Sequence, residues 1–185
     1  NPVNDAPTFT AGASPSVNED AGPQSVTGWA TGISSGPNES GQTLTFVVTN
    51  DNNALFSSQP AVNTSGTLTY TPAANMNGTA TVTVKLTDNG GTANGGVNES
   101  AAQTFTITVI PVNDAPAAVA KNYTAQTNMP LTIDGSTQGG GLLVGATDPD
   151  ASDPGFTSVL TIGTVTTTNP AGGIVNVTST TGDFT

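Results

Sequence analysis

The chain has 185 residues, 13 acids against two lysines, and a formal net charge of −11. It holds no Arg, His or Cys, which removes thiol nucleophiles, the usual general bases, and zinc or haem ligands. It also excludes electrostatic docking on nucleic acid or anionic lipid, and leaves oxygen as the only ligand chemistry, suited to hard cations such as calcium.

In chain order, the first signal is the string Pro2-Val3-Asn4-Asp5-Ala6-Pro7, followed by a turn holding Asn18, Glu19 and Asp20. "GISSGPNESG" is a polar loop carrying Glu39, and "TLTFVVT" (43–49) alternates Leu44, Phe46 and Val48 with Thr43, Thr45 and Val47. "GTLTYTP" (66–72) repeats the alternation with Leu68 and Tyr70. "TATVTVKLTD" (79–88) sets Val82, Val84 and Leu86 against Thr81, Thr83 and Lys85; "QTFTITVI" (103–110) sets Phe105, Ile107 and Val109 against threonines. A period of two, rich in β-branched residues, predicts strands with one buried and one wet face. The segments between are turn chemistry: "NEDAGP", "NDNNA", "NMNG", "DNGGTANGG". No stretch has a helical period, so an all-β Greek-key sandwich of about seven strands per repeat follows. Trp29 and Phe46 are expected core anchors.

The opening string recurs at Pro111–Pro116, placing Asn113 109 residues after Asn4. Two domains of one type are predicted, 1–110 and 111–185. "GTLT" at 66–69 returns as "GDFT" at 182–185, so the second repeat has no counterpart of residues 70–110 and is expected to be incomplete. The chain starts inside a motif and reads as a piece of something longer. Strand donation by another copy is the sharper account of the missing strands, and a plain chain boundary the simpler one.

Strands joined in series put alternate loops at opposite ends of a sandwich. Counting from the entry places Glu19, Asn75 and Asn77 at the exit end of the first repeat, with the linker pair Asn113 and Asp114. The corresponding loop of the second repeat, "GATDPDASD", brings Asp148, Asp150 and Asp153. Crowded carboxylates repel unless a cation neutralises them, so this joint is read as a calcium site. At the entry end, Glu39 and Asp88 form a weaker candidate.

These residues resemble a family. The "VNDAP" linkers, "NED" after the first strand and "ATDPD" in a later loop are similar to the cadherin-like tandem repeats of large bacterial surface adhesins. The resemblance implies an extracellular, calcium-rigidified stalk module with Glu19, Asn113, Asp114, Asp148 and Asp150 as ligands, and the Val112 and Ala115 carbonyls as further ones. Asn4 and Asp5 would serve a preceding repeat, beside Glu39 and Asp88. The family's Asp-Arg-Glu motif is absent, with Asn75 and Asn77 in its place, which implies one or two ions rather than three.

Implied partners are neighbouring repeats of the same chain, other copies, whether homophilic or strand-donating, and surface polysaccharide. Neither nucleic acid nor direct membrane insertion is expected. The alternative function is a ligand-binding module for carbohydrate or homophilic adhesion. No catalytic constellation appears, so no enzyme activity is expected. Asp51 and Glu99 read as surface loop residues, Asp134 as an exposed turn, and Lys85 as outward-facing, unsuited to an isopeptide crosslink. Sequons at Asn38, Asn63, Asn77, Asn98, Asn122 and Asn176 carry only a minor glycosylation hypothesis.

Overall fold

The computed structural model describes residues 3–120, 145–150 and 153. The chain divides into two compact units, Asn1–Val112 and Asn113–Thr185. Asp134, the sequons at Asn122 and Asn176, and residues 182–185 lie outside the described residues.

The first unit holds nine strand segments: β1 (Thr8–Thr10), β2 (Ser16–Asn18), β3 (Gln24–Val26), β4 (Thr31–Ser34), β5 (Thr45–Asn50), β6 (Phe56–Val62), β7 (Leu68–Pro72), β8 (Gly78–Thr87) and β9 (Gln103–Ile110). Among the described residues the only helical pieces are two 3₁₀ turns, Asn53–Leu55 and Ala93–Gly95. One layer contains β3-β7-β6 and the β1-β4 pair; the other runs β2-β9-β8-β5. The nine segments make seven passes. β1 and β2 belong to a first pass that crosses between layers, with β1 antiparallel to β4 and β2 parallel to β9. β3 and β4 are two halves of the second pass. The chain is an all-β, Ig-like sandwich.

Alternation decides which side chains face inward. Along β8, Ala80, Val82, Val84 and Leu86 are buried, while Thr79 and Thr81 are exposed and Thr83, Lys85 and Thr87 half-buried. Phe105, Ile107 and Val109 of β9 do the same, and the register sets Val82 opposite Phe105 and Ala80 opposite Ile107. Leu55, Phe56, Leu68 and Tyr70 close the core from the other layer. The threonines on the wet face suit a pleated surface because their branched stems restrict χ1 toward extended backbone. Lys85 stands on this wet face, its Nζ 2.9 Å from Glu99 Oε2. Glu99 therefore lies on the surface, as expected, but as one half of an exposed ion pair.

Trp29 is a core anchor, 3% exposed, but it stands in the break between β3 and β4 rather than on a strand. Its indole packs on Phe105 with centroids 4.4 Å apart, and Nε1 donates to the Ala13 carbonyl at 3.1 Å. The break is closed by Ala30 N–H donating to Gly66 O at 2.9 Å. Gly66 has φ +80, and a Cβ there would lie 2.0 Å from the Ala30 carbonyl oxygen, so only glycine fits.

Asp51, exposed as the sequence suggests, also joins the end of β5 to β8. Its Oδ1 accepts the Thr81 N–H at 2.7 Å and its own N–H donates to Thr81 O at 3.2 Å. Hydrogen bonds from Thr81 to the carboxylate, first from its main-chain N–H and then from its side chain, hold the carboxyl below the ordinary 3.8. With the folded pKa below the unfolded one, the stabilisation is present above the unfolded pKa and lost as pH falls through the folded one. Asp51→Asn is expected to flatten the acid limb of stability against pH. Urea midpoints followed by Trp29 fluorescence between about pH 5 and pH 2 check this. An unchanged acid limb removes Asp51 as a contributor.

Candidate metal sites at the ends of the repeats

At the entry end of the first unit, the linker, the loop after β4 and the loop after β8 meet. Asn4 is gripped by the last of these: Nδ2 donates to Asp88 Oδ1 at 3.0 Å and to Val97 O at 2.8 Å, and Asn4 O accepts Val97 N–H at 3.0 Å. Asp5 N–H donates to both oxygens of Glu39, at 3.1 and 3.3 Å. The two loops are tied together by Thr43 N–H donating to Asn89 Oδ1 at 2.9 Å.

The sequence left Glu39 with Asp88 open between a weak ion site and simple solvated loop acids. Asp88 is only 8% exposed. Its Oδ1 accepts Asn4 Nδ2 and, in a tight local turn, Gly90 N–H at 2.9 Å. Its Oδ2 is shielded from solvent and has no hydrogen-bond donor. Gln42, which sequence reasoning missed, adds a second such oxygen. Asn4 Nδ2 faces two acceptors, so Asn4 Oδ1 must face outward, and it accepts Gln42 Nε2 at 2.7 Å. Gln42 Oε1 is thereby fixed as an acceptor, and it too is shielded without a donor. An open groove of about 360 Å³ lies here, lined by Asn4, Asn38, Glu39, Gly41, Gln42 and Gly90. Gly90 permits this packing: a Cβ would stand 1.8 Å from Asn4 Oδ1.

Leaving buried acceptors without donors costs about 1–3 kcal/mol each, more for a charged group. Oxygen acceptors in that state suit either water or a hard cation, and a carboxylate favours the cation. No motif announced Gln42. The available signal was its place directly after the polar loop "GISSGPNESG", which loop counting puts at this end.

At the exit end of the same unit, Glu19 sits just after β2. Its N–H donates to Ile110 O at 2.9 Å, and its Oε1 accepts the linker N–H of Val112 at 2.7 Å. Asn75, expected at the same end as Glu19, meets the neighbouring Asp20, whose Oδ1 accepts Asn75 N–H at 3.2 Å. Asp20 and Asn75 both adopt positive φ, +58 and +54. Short polar side chains tolerate that region, which explains why the two tight turns of this end carry them. Asn77 is half-buried just before β8.

The second unit, described by itself, holds its linker in the same way as the first. Asp114 N–H donates to Asp150 Oδ2, as Asp5 N–H donates to Glu39. Asp148 Oδ1 accepts Asp150 N–H at 3.2 Å, and Asp150 O accepts Asp153 N–H at 2.9 Å. The strand pairing begins beside it, with Ala117 and Thr147 exchanging bonds of 2.8 and 2.9 Å. Asp150 is 2% exposed. Asn113 Nδ2 turns to its neighbour's carbonyl, Asp114 O, at 3.1 Å.

The family model described as bacterial Ig domain matches residues 4–108. No curated protein matches the chain.

Proposed function

This chain belongs to the bacterial Ig domain family, and from that premise we propose a calcium-stabilised structural repeat of an extracellular bacterial adhesin, of the cadherin-like type with VNDAP linkers. The observation that carries the reading is the pair of shielded, donorless oxygens, Asp88 Oδ2 and Gln42 Oε1, beside the linker residue Asn4. Asp5 and Glu39 add carboxylates at the same end. All the side chains offered are oxygen donors, which selects calcium or magnesium over softer metals, and irregular amide and carboxylate sets favour calcium. For the second linker the proposed ligands are Glu19, Asn113, Asp114, Asp148 and Asp150. What supports them is that each repeat holds the N–H of its linker aspartate with a loop carboxylate.

In this reading calcium stiffens the chain at its linkers. An ion that binds only the ordered loops shifts the equilibrium toward them by RT ln(1 + [Ca]/Kd). The surface setting follows family habit, since bacterial Ig domains are typically parts of surface proteins. Among the described residues no helix is long and apolar enough to cross a membrane. The role assigned is mechanical and adhesive, with no catalytic step.

Calorimetric titration of the full chain with calcium is the test. A Kd of about 10⁻⁴–10⁻³ M is expected, as in extracellular modules. Asp88→Asn should remove one class of sites, and Asp150→Asn should act on a separate class. Absence of millimolar calcium binding by the wild-type chain would retire the reading.

A further inference from the structure

A strand edge open to water can pair with another chain, and native sandwiches blunt such edges with prolines, bulges, charges or brevity. Among the described residues, most open edges of the first unit carry one of these devices. β1, β2 and β3 are three residues long and β4 is four. β6 is longer, but Pro60 removes a donor from it and its register shifts twice against β7. β5 carries none of them. Its six residues, Thr45–Asn50, run in unbroken register against β8, without charge or proline, and no strand pairs with its other side.

The register decides what that edge offers. Alternate residues of an antiparallel ladder direct both main-chain groups at the neighbouring strand. Just past β5, Asp51 N–H donates to Thr81 O at 3.2 Å, and just before it Thr43 N–H donates to Asn89 Oδ1 at 2.9 Å. By that alternation Thr45, Val47 and Thr49 face β8, while Phe46 and Val48 turn their N–H and C=O to the open side. The side chains of Leu44, Phe46 and Val48 are only half-buried at the rim of the core. A strand laid along this edge therefore covers apolar surface as well.

The edge is complementary to itself. Its outer face reads Thr45-Val47-Thr49, the same in both directions, and all three are exposed, Val47 by 46%. A two-fold axis at Val47 sets Val47 against Val47 and each Thr45 against the other copy's Thr49. Phe46 then lies opposite Val48, and their free main-chain groups exchange hydrogen bonds. Threonine pairs and aromatic pairs with branched residues are favourable across strands. Charge points the same way. With 13 acids and two lysines, two copies repel over most of their surface, yet no residue from Gly41 to Asn50 is charged. Lys85, which faces Val47 from β8, is already paired with Glu99.

We propose that β5 is a homophilic docking strand, through which a second copy of this chain extends the four-stranded sheet by antiparallel edge pairing. The contact uses main-chain groups and uncharged side chains, so it forms without calcium and is separable from the function proposed above.

Disulfide trapping of the full chain in chelator tests it, since the chain has no cysteine of its own. Val47→Cys is expected to give an oxidised dimer, because the axis places the two Cα atoms about 4.5 Å apart, within disulfide reach. Thr45→Cys and Thr49→Cys should each stay monomeric alone and crosslink when mixed. Ala61→Cys, exposed on the β6 edge, sets the background rate. Val47→Glu should weaken self-association of the full chain about tenfold or more in sedimentation equilibrium, by setting like charges directly opposite. Within one copy the new carboxylate faces Lys85, so an unchanged melting temperature is expected and separates lost docking from misfolding. Trapping of Val47→Cys no faster than Ala61→Cys or Thr45→Cys alone overturns the proposal. So does self-association indifferent to Val47→Glu, or a wild-type chain still monomeric at about 1 mM.

Discussion

The first unit is expected to melt roughly 6–20 °C lower in chelator than in about 10 mM calcium. That figure combines a Kd of about 10⁻⁴–10⁻³ M with the linkage relation, giving about 1.4–2.7 kcal/mol, and a shift of about 4–8 °C per kcal/mol for a domain of this size. The transition is readable unit by unit, because Trp29 is the single tryptophan of the chain and lies in the first unit's core. Asp88→Asn sharpens the test. An asparagine turned with its oxygen toward Asn4 and Gly90 keeps both hydrogen bonds that Asp88 Oδ1 makes. It loses only the charge and the donorless second oxygen. In chelator the variant should therefore melt no lower than the wild type, and calcium should raise its melting temperature little. A calcium response of equal size in the two proteins would show that the ion acts elsewhere.

Trp29→Ala should destabilise the first unit by about 3–5 kcal/mol, the usual range for emptying a buried aromatic site. Three losses add. The Phe105 ring loses its partner at 4.4 Å, the Ala13 carbonyl loses its donor, and the break between β3 and β4 loses the side chain that fills it. Against a typical stability of 5–15 kcal/mol, this leaves the unit marginal. Trp29→Phe keeps an aromatic body and should fall short of that, with the unpaired Ala13 carbonyl as its main cost at about 1–3 kcal/mol. Urea unfolding followed by far-ultraviolet circular dichroism measures both. A loss under about 1.5 kcal/mol for the alanine variant would mean that the site collapses around the gap.

Much of the scaffold was legible because strand burial has a period of two. Val82, Val84, Leu86, Phe105, Ile107 and Val109 announce their faces in the sequence alone, and all are buried. Loop counting likewise brought Asn4 and Asp5 to the same end as Glu39 and Asp88, since alternate loops of a serial sandwich share an end. It also put Glu19 at the exit linker, where Val112 N–H reaches it. It set Asn75 at that end too, although knowing that two loops share an end does not say which polar group of one meets which of the other. Asp20, one residue past Glu19, makes that contact from a turn in which its φ is positive.

By itself the sequence determined the strand faces, the repeated proline-bracketed linker and the restriction to oxygen ligands. These are local or compositional properties: alternation, recurrence, and the absence of His and Cys need no knowledge of what lies across the fold. Only the tertiary structure decided that Asp88 is buried, and that Gln42 presents an acceptor beside it. The structure alone also showed that β2 runs parallel to β9. Burial and pairing join residues 38 to 93 positions apart, as in Gln42 with Asn4 and Val112 with Glu19. Whether a carboxylate keeps its water depends on which distant loop closes over it, and that is a property of packing.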